Sequence, residues 1–192
     1  MSEDDGPSRR ALLGAATTAL GSAATVVLAG CGAGGRTGAK SVHKAKPPVQ
    51  RADIALLGAL LDLERHTVAA YTAGLPLLSR PDARIAKQFL DEELQHTGEL
   101  IALIKAAGGK APAHLGAYDL GHPADGAAVL ALLHGLERAQ ISAYLEAIPK
   151  LSPGPVRAAA ATVLASDAQH IAVLRSAQGL DPMPFAFLTG RE

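Results

Sequence analysis

The chain has no tryptophan, three tyrosines, three phenylalanines and one cysteine in 192 residues, and its formal net charge is zero. One thiol excludes an intramolecular disulfide and a cysteine-based zinc cluster. Zero net charge removes the bulk attraction to phosphate backbones, so no nucleic-acid partner is expected. Alternating runs of Val, Ile, Thr and Tyr are missing, while alanine and leucine dominate. That balance favours helix over sheet. Beyond Cys31 no stretch is apolar for the ~20 residues that a membrane-spanning helix requires. The length allows one domain, or one domain with appendages.

What is present begins at the N-terminus. Ser8-Arg9-Arg10-Ala11-Leu12-Leu13 resembles a twin-arginine export signal, and an alanine-rich apolar stretch follows to Gly30. It ends in Leu28-Ala29-Gly30-Cys31, which resembles a bacterial lipobox. The resemblance implies a signal peptide over residues 1–30, cleavage before Cys31 and lipidation of its thiol. The product would be an extracytoplasmic lipoprotein anchored to the bacterial cell membrane. A plain transmembrane anchor with an incidental cysteine is the competing reading. Residues 31–51 read as a flexible tether that is rich in Gly, Lys and Pro and has no acidic residue. Its Arg36, Lys40, Lys44 and Lys46 would lie close to anionic head groups, or would simply be solvated.

Residues 52–180 read as four helices. The first runs from about Asp53 to Gly74, with Leu57, Leu61, Glu64, Val68 and Tyr71 on one seam. The second runs from about Pro81, a favourable first-turn residue, to Ala107, before Gly108-Gly109. Its seam is Ala86, Phe89, Glu93, His96, Leu100 and Leu103. The third spans about Ala124 to Ile148, with Leu130, His134, Glu137, Ile141 and Tyr144 in line. The fourth starts near Ser152-Pro153 and ends near Gly179, carrying Val156, Ala160, Val163, Asp167, His170 and Leu174. Residues 181–192 form an apolar tail with Phe185, Phe187 and Leu188, which is expected to dock on the bundle.

Glu64, Glu93, His96, Glu137, Asp167 and His170 occupy seam positions where apolar residues belong. Other charges, such as Arg65, Lys87, Arg138 and Arg157, fall off the seam. A carboxylate in a bundle core is costly unless it is paired or metal-bound. Four together repel one another and must take up protons or cations. Two divalent ions would balance four carboxylates, and a carboxylate and a histidine three apart share one helix face and can grip one ion. The pattern is duplicated. Glu64 and Glu137 are 73 positions apart, and His96 and His170 are 74 apart. Leu63-Glu64-Arg65 parallels Leu136-Glu137-Arg138, Ala70-Tyr71 parallels Ala143-Tyr144, and Gln95-His96 parallels Gln169-His170. A repeated helical hairpin with a pseudo-twofold axis follows. The stretch from Gly108 to Pro123 is long enough to run the length of a helix and make a crossover.

This set of residues resembles a ferritin-like domain protein of the bacterial exported type, within the di-iron carboxylate superfamily. The resemblance implies an all-α, four-helix ferritin-like bundle. It implies two irons, with manganese or zinc as alternatives, that react with oxygen or peroxide or oxidise ferrous iron. Carried over by position, Glu64 and Glu137 are terminal ligands, Glu93 and Asp167 bridge, and His96 and His170 give one ring nitrogen each. Asp167 departs from the superfamily, which usually has Glu there; one methylene less starts its carboxylate farther from the bundle axis. Tyr71, Tyr144 and His134 are expected to hydrogen-bond the ligand side chains, against the plainer reading of satisfied core residues. Glu92 and Glu99 read as solvated helix charges. If the chain is an enzyme, it is a di-iron oxidoreductase acting on a small-molecule oxidant. The alternative is a non-catalytic bundle that serves as a binding or envelope module with a degenerate or redox-silent site. A monomer or homodimer is expected rather than a storage cage.

Overall fold

The computed structural model describes residues 49–113 and 116–191. The export signal, Cys31 and the tether up to residue 48 lie outside the described residues. Four α-helices make up most of the described part: α1 (Ile54–Gly74), α2 (Arg80–Ala106), α3 (Gly126–Ala147) and α4 (Pro155–Ala177). None is long and apolar enough to cross a membrane.

Local chemistry sets the helix ends. Ser79 caps α2, its hydroxyl accepting from the Asp82 amide, with Pro81 in the first turn. Asp125 caps α3 by accepting from the Ala128 amide at 2.9 Å. Gly108, at φ 78°, closes α2 in the left-handed conformation that glycine adopts without steric cost. Asp53, almost fully buried, ties the entry of α1 to the other hairpin. One carboxylate oxygen accepts from the Gln50 amide and the other from the Ser152 amide, each at 2.8 Å. Val49, ahead of residue 52, is also buried in the core.

The two hairpins, α1–α2 and α3–α4, join mainly through α1 against α3, and α2 and α4 touch less than these neighbours do. The connection between the hairpins is a crossover along α1. It leaves α2 beside Ile54, at the start of α1, where Gly109 packs closely. It then passes Arg65, whose guanidinium donates to the Pro112 carbonyl, and His66, which stacks on Tyr118 at 4.8 Å. It reaches α3 beside the Leu77 carbonyl, past the end of α1. α3 therefore starts where α1 ends, as in a ferritin-like bundle.

The core has two apolar halves. Leu57, Leu61, Leu100, Ile104 and Val156 fill one; Tyr71, Phe89, Leu133 and Leu174 fill the other. A polar layer separates them. The expected seam of α1 needs one correction: Thr67 is fully buried, while Val68 is half-buried. The tail lies along α3 and α4, and Arg191 pairs with Glu146 at 3.8 Å. Phe185 and Phe187 nevertheless remain 58% and 82% exposed.

Candidate metal centre

Each helix contributes to the polar layer at mid-height. α1 presents Glu64, α2 presents Glu93 and His96, α3 presents Glu137, and α4 presents Asp167 and His170. All four carboxylates have no solvent exposure and His170 almost none, whereas His96 retains 12% of its side chain. Ligand atoms of Glu93, Glu137, Asp167 and His170 lie within 4.8 Å of one another, and so do those of Glu64, Glu93 and His96. Glu93 is common to both groups. Asp167 belongs to one group, yet its Oδ1 reaches to 3.5 Å from His96 Nδ1, so the shorter side chain still enters the space between the two.

The two tyrosines reach across the bundle. Tyr144 donates to Glu64 Oε1 at 2.5 Å and Tyr71 donates to Glu137 Oε1 at 2.7 Å, so each half of the repeat holds the glutamate of the other. Thr67 and Gln140, each three residues after a ligand glutamate, meet at 3.0 Å. The Gln140 amide then donates to Glu93 Oε2 at 3.0 Å. This interaction breaks the twofold symmetry in favour of Glu93. Sequence reasoning missed both residues, although their spacing from Glu64 and Glu137 was the available signal. It also missed Glu92, whose Oε2 stands 2.7 Å from His170 Nε2. A carboxylate behind an imidazole fixes its tautomer and aims the other nitrogen inward. The second half has Ser166 at the position equivalent to Glu92, so the repeat gave no hint of it. His134 is not brought to the cluster. It faces a separate cavity under the tail, and its Nε2 has no hydrogen-bond partner.

Burial and mutual repulsion set the protonation of the layer. Burial, with the charge of Glu93 nearby, pushes Glu64 up to about 8. Asp167 is raised well above the usual carboxylate range by burial and by Glu137, Glu64 and Glu93. Burial also pushes Glu137 up, to about 6. Burial would raise Glu93 as well, but the imidazoles of His170 and His96 hold it below the usual range. The imidazoles respond in kind. Burial would lower both, yet Glu64 and Glu93 raise His96 to about 9, and Glu137 and Glu93 raise His170 to about 11. The layer thus retains protons, and those protons occupy the role a cation would fill.

The sequence profile described as "Ferritin-like domain" matches residues 52–180. The chain belongs to the ferritin-like domain family. Among solved structures, the ferritin-like chain resembles a conserved hypothetical protein of Mycobacterium tuberculosis. The identity is 22% and the TM-score 0.62, with 71% of this chain and 96% of that one covered. No curated protein matches it. At that identity the likeness speaks for the fold only.

In this ferritin-like domain the residues fit a metal. Glu64 Oε2, Glu93 Oε1, Glu137 Oε2, both Asp167 oxygens and His96 Nδ1 are buried without a hydrogen-bond partner. Orphaned buried polar atoms are costly, and here they converge. Hard carboxylate oxygens with imidazole nitrogens suit iron, manganese or zinc. The cluster could hold metal ions. Access is from the α2–α4 side, where a groove of about 510 Å³ lined by Glu92, His96, Glu99, Thr162 and Ser166 opens to solvent.

Proposed function

We propose that this ferritin-like domain holds a two-metal carboxylate centre, with iron as the working metal, and uses it on a small oxidant. The single observation that carries the reading is the set of unpartnered buried oxygens in two adjoining groups that share Glu93. Glu64, Glu93 and His96 would hold one ion, and Glu93, Glu137, Asp167 and His170 the other. When bound, a ferrous pair would supply electrons to oxygen or peroxide, the oxidant being reduced as the irons pass from ferrous to ferric.

The chain's own residues do the rest. Gln140 anchors the far oxygen of Glu93, leaving Oε1 to face the centre. Tyr71 and Tyr144 orient Glu137 and Glu64, and each holds a phenolic proton at a ligand oxygen. Burial and the adjacent carboxylates raise both tyrosines well above their ordinary range, so these protons stay on the phenols. Glu92 holds His170 from behind and lines the groove through which cations and small oxidants would enter. Export by the twin-arginine route and anchoring through lipidated Cys31 complete the proposal, so that the domain would work at the outer face of the cell membrane.

The test is metal content after aerobic loading with ferrous iron, beside a Glu93→Ala/His170→Ala control. The expected result is about two irons per chain with an oxo-bridged absorption band, both absent from the control. A well-folded chain that binds no iron would refute the reading and favour a binding or structural module.

A further inference from the structure

A second cavity, of about 160 Å³, lies on the outer side of α3 and α4 beneath the C-terminal tail. Ile171 forms its apolar floor, and Phe185 and Leu188 of the tail cover it. His134, Arg138 and Arg175 line the same space.

Among the described residues the two guanidinium groups have no counter-charge. Neither Arg138 nor Arg175 makes an ion pair among the described residues, and Arg175 Nε donates to the Asp181 carbonyl instead. Arg138 Nε and His134 Nε2 are buried with no hydrogen-bond partner. Arg138 and Arg175 sit close enough to His134 to disfavour its charged form, in addition to the effect of burial. A buried donor such as Arg138 Nε without a partner is rare and costly, and an anion would satisfy it. The apolar wall asks for something more than a bare ion. A cavity of about 150 Å³ accommodates a benzene ring, and guanidinium groups match a carboxylate in geometry and charge.

We propose that this cavity binds a small organic monocarboxylate, its apolar body against Ile171, Phe185 and Leu188 and its carboxylate on Arg138, Arg175 and His134. The site is separate from the metal cluster. Ala168 and Ile171 line it, while their chain neighbours Asp167 and His170 belong to the cluster.

The test is calorimetric titration of the metal-free full chain with benzoate, with benzyl alcohol and inorganic phosphate as comparisons. Metal-free protein removes binding of the carboxylate to a metal. The expected result is one benzoate per chain, with both comparison compounds at least about tenfold weaker, the scale of one charge-assisted hydrogen bond. Arg138→Gln should weaken benzoate by a similar factor, and Ala172→Met, which narrows the cavity without removing a charge, should also weaken it. If Arg138→Gln does not fold, as judged by its helical circular dichroism, Arg175→Gln provides the same reading. Absence of benzoate binding to the folded chain would overturn the proposal. So would benzyl alcohol or phosphate binding as tightly as benzoate, or folded Arg and Ala172 variants that bind like the wild type.

Discussion

Because Glu93 belongs to both ligand groups, while Glu64 and Glu137 belong to one each, three isosteric substitutions should separate cleanly. A ligand that binds only the folded chain, present at one hundred times its dissociation constant, adds about 2.7 kcal/mol of stability. For a domain spanning residues 52–180, 1 kcal/mol corresponds to about 4 °C in Tm. Each bound ion should therefore raise Tm by about 10 °C, and two by about 20 °C. Glu64→Gln and Glu137→Gln should each lose one increment, whereas Glu93→Gln should lose both. The assay is thermal unfolding followed by circular dichroism, with and without metal, and the quantity compared is the metal-induced shift within each variant. That difference cancels the effect of the substitution on the metal-free fold. A Glu93→Gln variant that keeps both increments, or a Glu64→Gln variant that loses both, would refute the shared-ligand geometry.

Further predictions concern protons, packing and export. In the metal-free protein Glu64, His96 and His170 have folded-state values raised to about 8, 9 and 11. The folded chain thus binds more protons than the unfolded one, and their stabilisation, present at low pH, is lost as pH rises. Tm should fall between about pH 6 and pH 9 without metal; a rise over that range would contradict the assigned protonation. A Cβ at Gly74 would lie 2.5 Å from Val129 Cγ1, a stiff β-branched side chain. Gly74→Ala should cost about 1–3 kcal/mol in a denaturant titration, and an unchanged midpoint would show that the helices part freely there. Cys31→Ser should leave an unprocessed precursor in the producing cell; a variant processed and lipidated like wild type would exclude the lipobox.

Much of this architecture was legible in the chain. The four helices fall within a few residues of the expected bounds, because capping residues and the 3.6-residue period are local properties. The placing of six polar residues in otherwise apolar seams pointed to a buried charged layer, and the structure gathers those six residues. Other features were not legible. Thr67 and Val68 flank the same seam of α1, and only the packing of α3 selects Thr67 for the interior, where it meets Gln140. Glu92 looks like any exposed helix charge until α4 brings His170 against it. His134 lies one turn before Glu137, where a ligand-supporting residue could sit, yet it faces the tail cavity.

The helices, the repeat and the composition of the polar layer follow from the order of residues along a single helix or hairpin. The sharing of Glu93 by two groups, the reach of each tyrosine to the opposite half and the basic cavity under the tail arise from packing. Those relations depend on which helix faces meet and at what height, and side chains 66 or 80 positions apart come within hydrogen-bond range only when the whole bundle has packed.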